Sequence, residues 1–289
     1  MAHTMAGRVV LVTGATSGIG AATAIGLARM GATLALGVRD AKKADAAREE
    51  IARETGNTAL DLPLLDLASF RSIRRFADAL KARHAPLDVL VNNAGIFTRD
   101  RHVTEDGLEA QFQVNYLGPF LLTMLLLDPL KARAPSRIVN ISSEAHRGAS
   151  IDFDNLQGER TYSGYRAYGQ SKLAQILFTH VLARRLQGTG VTVNAVHPGV
   201  IRTNLGKGEF PAAFDVIRLF LKGVGRGART SIHVATSPAL EGVTGKYFKN
   251  SKEATSSAES NDDAAARRLW DVSLELAGLT ATSSAEAKG

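Results

Sequence analysis

Tyr168 is followed four residues later by Lys172, in a segment, 165–187, whose residue pattern reads as a helix. Four residues is just over one helical turn, so the two side chains share a face with Cβ atoms about 5–6 Å apart. An ammonium in that position favours the phenolate and draws a tyrosine down from its reference value of about 10 toward a working pH, where it can give or take a proton. Two neighbouring tyrosines act as controls: Tyr165 is followed at the same spacing by Gly169 and Tyr162 by Arg166, and neither supplies that chemistry. Taken alone, the pair also fits ordinary packing with a snorkelling lysine. Its surroundings shift the balance. A strand-like run at 137–141 delivers Ser142 and Ser143 at its carboxyl end, where a hydroxyl could donate to a carbonyl oxygen that gains negative charge during hydride addition. Asn92-Asn93-Ala94-Gly95 ends an earlier strand at the same edge. Asn115 lies in a long helical stretch, 105–133, as either a satisfied helix-bending amide or a member of a buried relay.

The elements that must position these groups alternate. Strand-like runs at 8–13, 33–38, 60–65, 87–91, 137–141 and 191–196 are separated by helical segments at 21–30, 41–54, 69–83, 105–133 and 165–187, with Ser69 a candidate cap. A helix at 226–236, an edge strand at 245–248 and a helix at 264–276 follow. Such alternation implies an α/β fold of Rossmann type, a doubly wound parallel sheet of about seven strands with helices on both faces. No linker interrupts it, so residues 5–280 are expected to form one domain. Segment 205–227 mixes Phe210, Phe214 and Phe220 with glycines; it is expected to be a substrate lid or, equally, an ordinary amphipathic helix. Residues 1–4, ahead of a candidate start at Met5, and 281–289 are expected to be disordered, and 251–260 to be loose.

Between the first strand and first helix stands Thr13-Gly-Ala-Thr-Ser-Gly-Ile-Gly20. Glycines there let the backbone turn sharply and approach a pyrophosphate, whose charge meets the free N–H groups of the helix start. A tight strand-to-helix turn is the plainer reading, but the flanking strand and helix are the context a dinucleotide site requires. The second strand ends Gly37-Val38-Arg39, with no carboxylate at its tip to bond ribose hydroxyls. The Arg39 guanidinium suits a 2′-phosphate, so NADP(H) is expected in preference to NAD(H), unless Asp40 pairs with Arg39 and blunts it.

Several classes of function are excluded. The chain has no cysteine, hence no disulfide scaffold, thiolate metal site or cysteine nucleophile. Its seven histidines form no H-x-x-x-H or H-x-H pair, so no metal is expected, and no G-x-S-x-G elbow supports a serine hydrolase. Lysine and arginine, 35 against 28 acids, give a charge of +7 but are scattered and form no nucleic-acid reading motif. The apolar run 120–127 is cut by Asp128-Pro129 well short of the ~20 residues of a membrane span. With no secretory signal either, a cytoplasmic protein is expected.

Together these motifs resemble the short-chain dehydrogenase/reductase family over residues 7–248: Thr-Gly-x-x-x-Gly-x-Gly, Asn-Asn-Ala-Gly, the helical Asn115, the strand-end serine, Tyr-x-x-x-Lys and His197-Pro198-Gly199. The texture of 115–123, 137–146, 155–159 and 267–270 is closest to the retinol dehydrogenase-like branch. The resemblance implies Tyr168 as general acid/base, Lys172 as its tuning group and ribose ligand, Ser143 as the substrate-oxygen donor and Asn115 as anchor of a relay water. It further implies cofactor contacts from Gly14, Thr16, Ser17, Gly18, Ile19 and Gly20. Arg39, Asp66, Leu67, Asn92, Ala94, Gly95, Pro198, Gly199, Val200 and Thr203 complete that set. Thr16 stands where many NADP-preferring members carry a basic residue, so Arg39 alone supports the phosphate assignment. Many animal relatives of that branch carry a membrane anchor; none is found in this sequence, which weighs against a retinoid. The expectation is thus an NADP(H)-dependent alcohol dehydrogenase or carbonyl reductase for an apolar small molecule, forming a homo-oligomer, dimer or tetramer, through its two long helices. A non-catalytic NADP(H)-binding regulatory or scaffold protein on the same fold is the alternative, and it predicts a broken Ser, Tyr or Lys set.

Overall fold

The computed structural model describes residues 4–199 and 224–279. Val200, Thr203, the phenylalanines at 210, 214 and 220, most of the expected lid and the tails at 1–3 and 280–289 lie outside the described residues. Strands β1 (Val9–Thr13), β2 (Thr33–Gly37), β3 (Leu60–Asp61), β4 (Val89–Asn92), β5 (Ser136–Ile141), β6 (Val191–His197), β7 (Tyr247–Lys249) and β8 (Lys252–Glu253) make one sheet in the order β3-β2-β1-β4-β5-β6-β7-β8. All neighbours pair in parallel except β7 and β8. Both faces are covered, which is why the central strands read as continuous apolar runs. Within them the two-residue period still sorts the side chains: Val10, Val12, Val89 and Val91 enter one core layer, Leu11 and Leu90 the other.

The first layer receives α1 (Gly18–Arg29), α2 (Ala41–Thr55) and α8 (Val224–Thr236). The second receives α3 (Phe70–His84), α4 (Ala110–Phe112), α5 (Gly118–Leu125), α6 (Leu127–Ala132) and α7 (Gly164–Arg185), with α9 (Asp263–Leu276) packed on α7. Asp40 caps α2 by accepting from the Lys42 and Lys43 amides, and Ser69 caps α3 by accepting from the Ser72 amide. Trp270 of α9 meets Phe120 and Phe178 at ring separations of 5.3 and 6.1 Å, so α9 covers part of the α5 and α7 surface.

Three expectations need correction. The stretch expected as one helix over 105–133 is broken: residues Gln113–Leu117 form a single π turn between α4 and α5, and the chain turns again before α6. A π turn arises from a shifted hydrogen-bond register, which apolar periodicity does not reveal. Strand β7 is not the edge, because β8 pairs outside it. The polar segment 251–260 is not loose; Ser257 and Ser260 are buried, and the Ser260 hydroxyl donates to the Ser257 carbonyl at 2.6 Å.

Candidate active site

The carboxyl ends of β1 and β4 build a turn that leaves room for a ligand. Gly14 and Gly18 take φ of +66° and +58°, a region glycine enters freely. At Gly20 the requirement is space: a Cβ there would lie 2.2 Å from the Gly14 oxygen and 2.4 Å from Asn93 Nδ2. Asn93 laces the two strands by donating from Nδ2 to the Thr13 carbonyl at 2.8 Å, while Thr13 Oγ1 accepts from the Asn93 and Ala94 amides at 3.0 and 3.1 Å. Ser17 stands at the N-cap of α1 in an extended conformation and makes no side-chain cap bond, which leaves the first amides of the helix to an anion.

This turn opens on a cleft of about 1280 Å³ along the carboxyl edge of the sheet. Of the residues expected to hold a dinucleotide, Gly14, Thr16, Ser17, Gly18, Ile19, Gly20, Arg39, Asp66, Leu67, Ala94, Gly95, Pro198 and Gly199 line it, together with Ser143, Tyr168 and Lys172. Asp40 caps α2 through Oδ1 and forms no ion pair with Arg39. Among the described residues Arg39 has no ion-pair partner. The glycine-lined turn, the uncapped helix start and the unpaired guanidinium at the β2 tip fit a dinucleotide with an added phosphate.

At the other end of the cleft Ser143 and Tyr168 line the same wall. Ser142 is spoken for, since its buried hydroxyl donates to the Lys172 carbonyl at 2.7 Å. Ser143 Oγ accepts from the Ala145 amide at 3.2 Å, so its own proton is left to point into the cleft. Lys172 lies 3% exposed, with Nζ 3.1 Å from the Ile141 carbonyl and 5.6 Å from the centre of the Tyr168 ring. Burial pulls Lys172 down to about 8. It also pushes Tyr168 up to about 12, which the nearby Ser143 hydroxyl only partly opposes. The expected lowering of Tyr168 is therefore not what this arrangement gives: desolvation outweighs a neighbouring ammonium that is itself desolvated, and the resident form is the neutral phenol.

Asn115 and Asn92 do not line the cleft. Asn115 is fully buried in the π turn, where its side chain pairs with both main-chain groups of Ile96 at 2.7 and 3.0 Å and donates to Ser171 Oγ at 3.0 Å. Its main-chain carbonyl accepts from Gln175 Nε2 at 2.6 Å, so side chain and main chain are both bonded within the protein. Asn92 lies beneath the floor, donating to Thr123 Oγ1 and Asn140 Oδ1 at 2.9 and 2.8 Å. Residues that sequence reasoning missed include Lys43, in the first turn of α2, and Phe97, whose ring stands edge-on to Tyr168 at 5.8 Å. His197 also faces the cleft, 4% exposed and with Nδ1 unbonded, and burial pulls it down to about 4.

Comparison with known proteins follows the same lines. Residues 8–213 match the family model described as short chain dehydrogenase. Retinol dehydrogenase 13 of Homo sapiens is 48% identical, with 97% of this chain and 87% of the relative covered. An uncharacterized protein from Mycobacterium Paratuberculosis has a crystal structure that superposes with a TM-score of 0.77 at 35% identity, covering 95% of this chain and 94% of that one. A gluconate 5-dehydrogenase from Burkholderia cenocepacia J2315, solved in complex with NADP and tartrate, gives a TM-score of 0.69 at 27% identity over 85% of this chain and 94% of that one.

Proposed function

The chain belongs to the short chain dehydrogenase family, in its retinol dehydrogenase-like part, and on that premise we propose that it transfers a hydride between NADP(H) and an apolar alcohol or carbonyl compound. The observation that carries the proposal is that Ser143, Tyr168 and Lys172 line one end of a cleft whose other end offers Arg39 and the glycine turn, with Lys172 Nζ 5.6 Å from the centre of the Tyr168 ring. When bound, the nicotinamide supplies the hydride or takes it up. In the reducing direction neutral Tyr168 gives its proton to the substrate oxygen, and Ser143 donates to the same oxygen as charge gathers on it. Lys172, held against the Ile141 carbonyl, steadies the phenolate that Tyr168 becomes. Asn115 keeps the segment at Ile96 and, through Ser171, the main chain of Tyr168 in place.

Preference for NADP(H) over NAD(H) rests on Arg39, unopposed at the β2 tip, and the gluconate 5-dehydrogenase neighbour was solved with NADP. The names of the curated relatives put retinal and retinol first among the apolar compounds to test. An intact Ser143, Tyr168 and Lys172 set favours turnover over a purely regulatory role. NADPH oxidation is to be followed against retinal and a panel of aldehydes, ketones and quinones. Tyr168→Phe is expected to lower kcat about 10²–10⁴-fold with NADPH affinity kept. A variant turning over near the wild-type rate overturns the proposal.

A further inference from the structure

We propose that His146 is a positioning residue for the Ser143 hydroxyl, acting through the Ser143 main chain and anchored in turn on the segment around Ser257. The inference rests on the catalytic reading of Ser143. His146 closes a short 3-10 turn, Glu144–His146, whose N-cap is Ser143, and it is fully buried. Its ring nitrogens have fixed roles. Nε2 accepts from the Ser257 amide at 3.1 Å, which requires that the proton reside on Nδ1. Nδ1 lies 2.6 Å from the Ser143 carbonyl, so it is the donor there. The imidazole is neutral, as burial also favours, and its edge meets the ring of Tyr247 at 5.1 Å.

Two further ties show that the turn is fastened on purpose-built partners. Glu144 accepts from the Tyr247 hydroxyl and from Lys249 Nζ, both at 2.9 Å, which binds the turn to β7. Arg147 donates to the Thr255 carbonyl at 2.6 Å. His146 differs from both in bonding the serine's own peptide group. Together with the His146 amide, which donates to the same carbonyl at 3.1 Å, that bond holds the plane of the Ser143–Glu144 peptide beside the extended Ser143 residue, φ −154° and ψ 158°, whose side chain lines the cleft with Tyr168. A segment 111 residues further along the chain thereby anchors the peptide group that carries the serine. A displacement of the order of 1 Å in such a group is enough to cost about 100-fold in rate.

A double-mutant cycle separates positioning from plain support. It is read with NADPH and the carbonyl compound of the panel above that is turned over fastest. His146→Leu is expected to lower kcat about 10–100-fold in the wild-type background and no more than about twofold in a Ser143→Ala background, with NADPH affinity unchanged in both. His146→Asn, whose amide can still donate to the Ser143 carbonyl, is expected to recover the rate to within about threefold of wild type. Equal losses in the two backgrounds, or no recovery by Asn, overturn the inference. If Ser143→Ala itself leaves turnover intact, the catalytic reading fails first, and the inference falls with it. A crystal structure of His146→Leu decides the point without any activity: the Ser143 hydroxyl is expected to shift relative to Tyr168, and an unmoved serine overturns the proposal.

Discussion

The two ends of the same parallel sheet treat their polar groups in opposite ways. At the amino end Asp88, 2% exposed, accepts from Arg8 Nη1 at 2.6 Å, Arg133 Nε at 2.9 Å and the Val9 amide at 2.8 Å. Arg133 goes on to the Gly7 carbonyl and Arg137 to that of Val234, so charges and carbonyls there satisfy one another. At the carboxyl end Ser17 leaves its helix uncapped, His197 Nδ1 has no hydrogen-bond partner among the described residues, and the Ser143 and Tyr168 side chains line the cleft wall. One edge spends its hydrogen bonds on joining β1, β4 and the end of α6. The other keeps donors in reserve for a ligand, and its constraints come from behind, as with His146 and Asn93. A polar group that is paired with protein therefore says little about chemistry here; one that is buried and aimed at the cleft says much.

Asp88→Ala provides the sharpest break. It removes the acceptor shared by three donors and leaves the Val9 amide unpaired, while the two half-exposed arginines can return to water. A loss of about 2 kcal/mol is expected, seen as a fall in Tm of roughly 4–8 °C for a domain of this size. kcat is expected to stay within twofold of wild type. If the rate falls tenfold while Tm holds, the division of labour between the two edges is wrong.

The carboxyl edge should respond to pH through Lys172. Lys172 is charged below its lowered value of about 8 and neutral above it, whereas Tyr168, near 12, keeps its proton throughout that range. With Lys172 charged, the phenolate formed in reduction is stabilised; once it is neutral, that support is gone. The kcat/KM for carbonyl reduction is therefore expected to fall above about pH 8, approaching tenfold per unit. A profile flat from pH 7 to 10 would remove Lys172 from the charge balance of the step.

Much of the carboxyl edge was legible from the sequence because its chemistry is local. Tyr168 and Lys172 are four residues apart, the glycines sit in one turn, and Ser143 follows directly on β5. What escaped depends on partners far away in the chain or on backbone register. The π turn around Asn115 shifts hydrogen bonds by one residue without any change of composition. Segment 251–260 looked like solvent-loving chain, yet its serines bond to one another and to His146 across 111 residues. The raised value of Tyr168 was illegible for the same reason: burial is a property of the packed site, and spacing alone showed only the opposing ammonium.

The smallest effect is the most informative about the cofactor end. Lys43 lies in the first turn of α2, close after Arg39 in the chain; both side chains are exposed, and both line the cleft. Their contributions should differ in kind. The planar guanidinium can hold two phosphate oxygens at once, whereas the ammonium of Lys43 acts as a screened point charge. Arg39→Ala is expected to raise the NADPH Kd about tenfold or more and Lys43→Ala about threefold, each leaving NADH affinity nearly unchanged. Raising the salt from 50 mM to 500 mM should erase most of the Lys43 effect and only part of the Arg39 effect. Equal losses for NADPH and NADH in the lysine variant would mean that Lys43 meets the shared pyrophosphate or serves α2 itself, and that the 2′-phosphate is left to Arg39 alone.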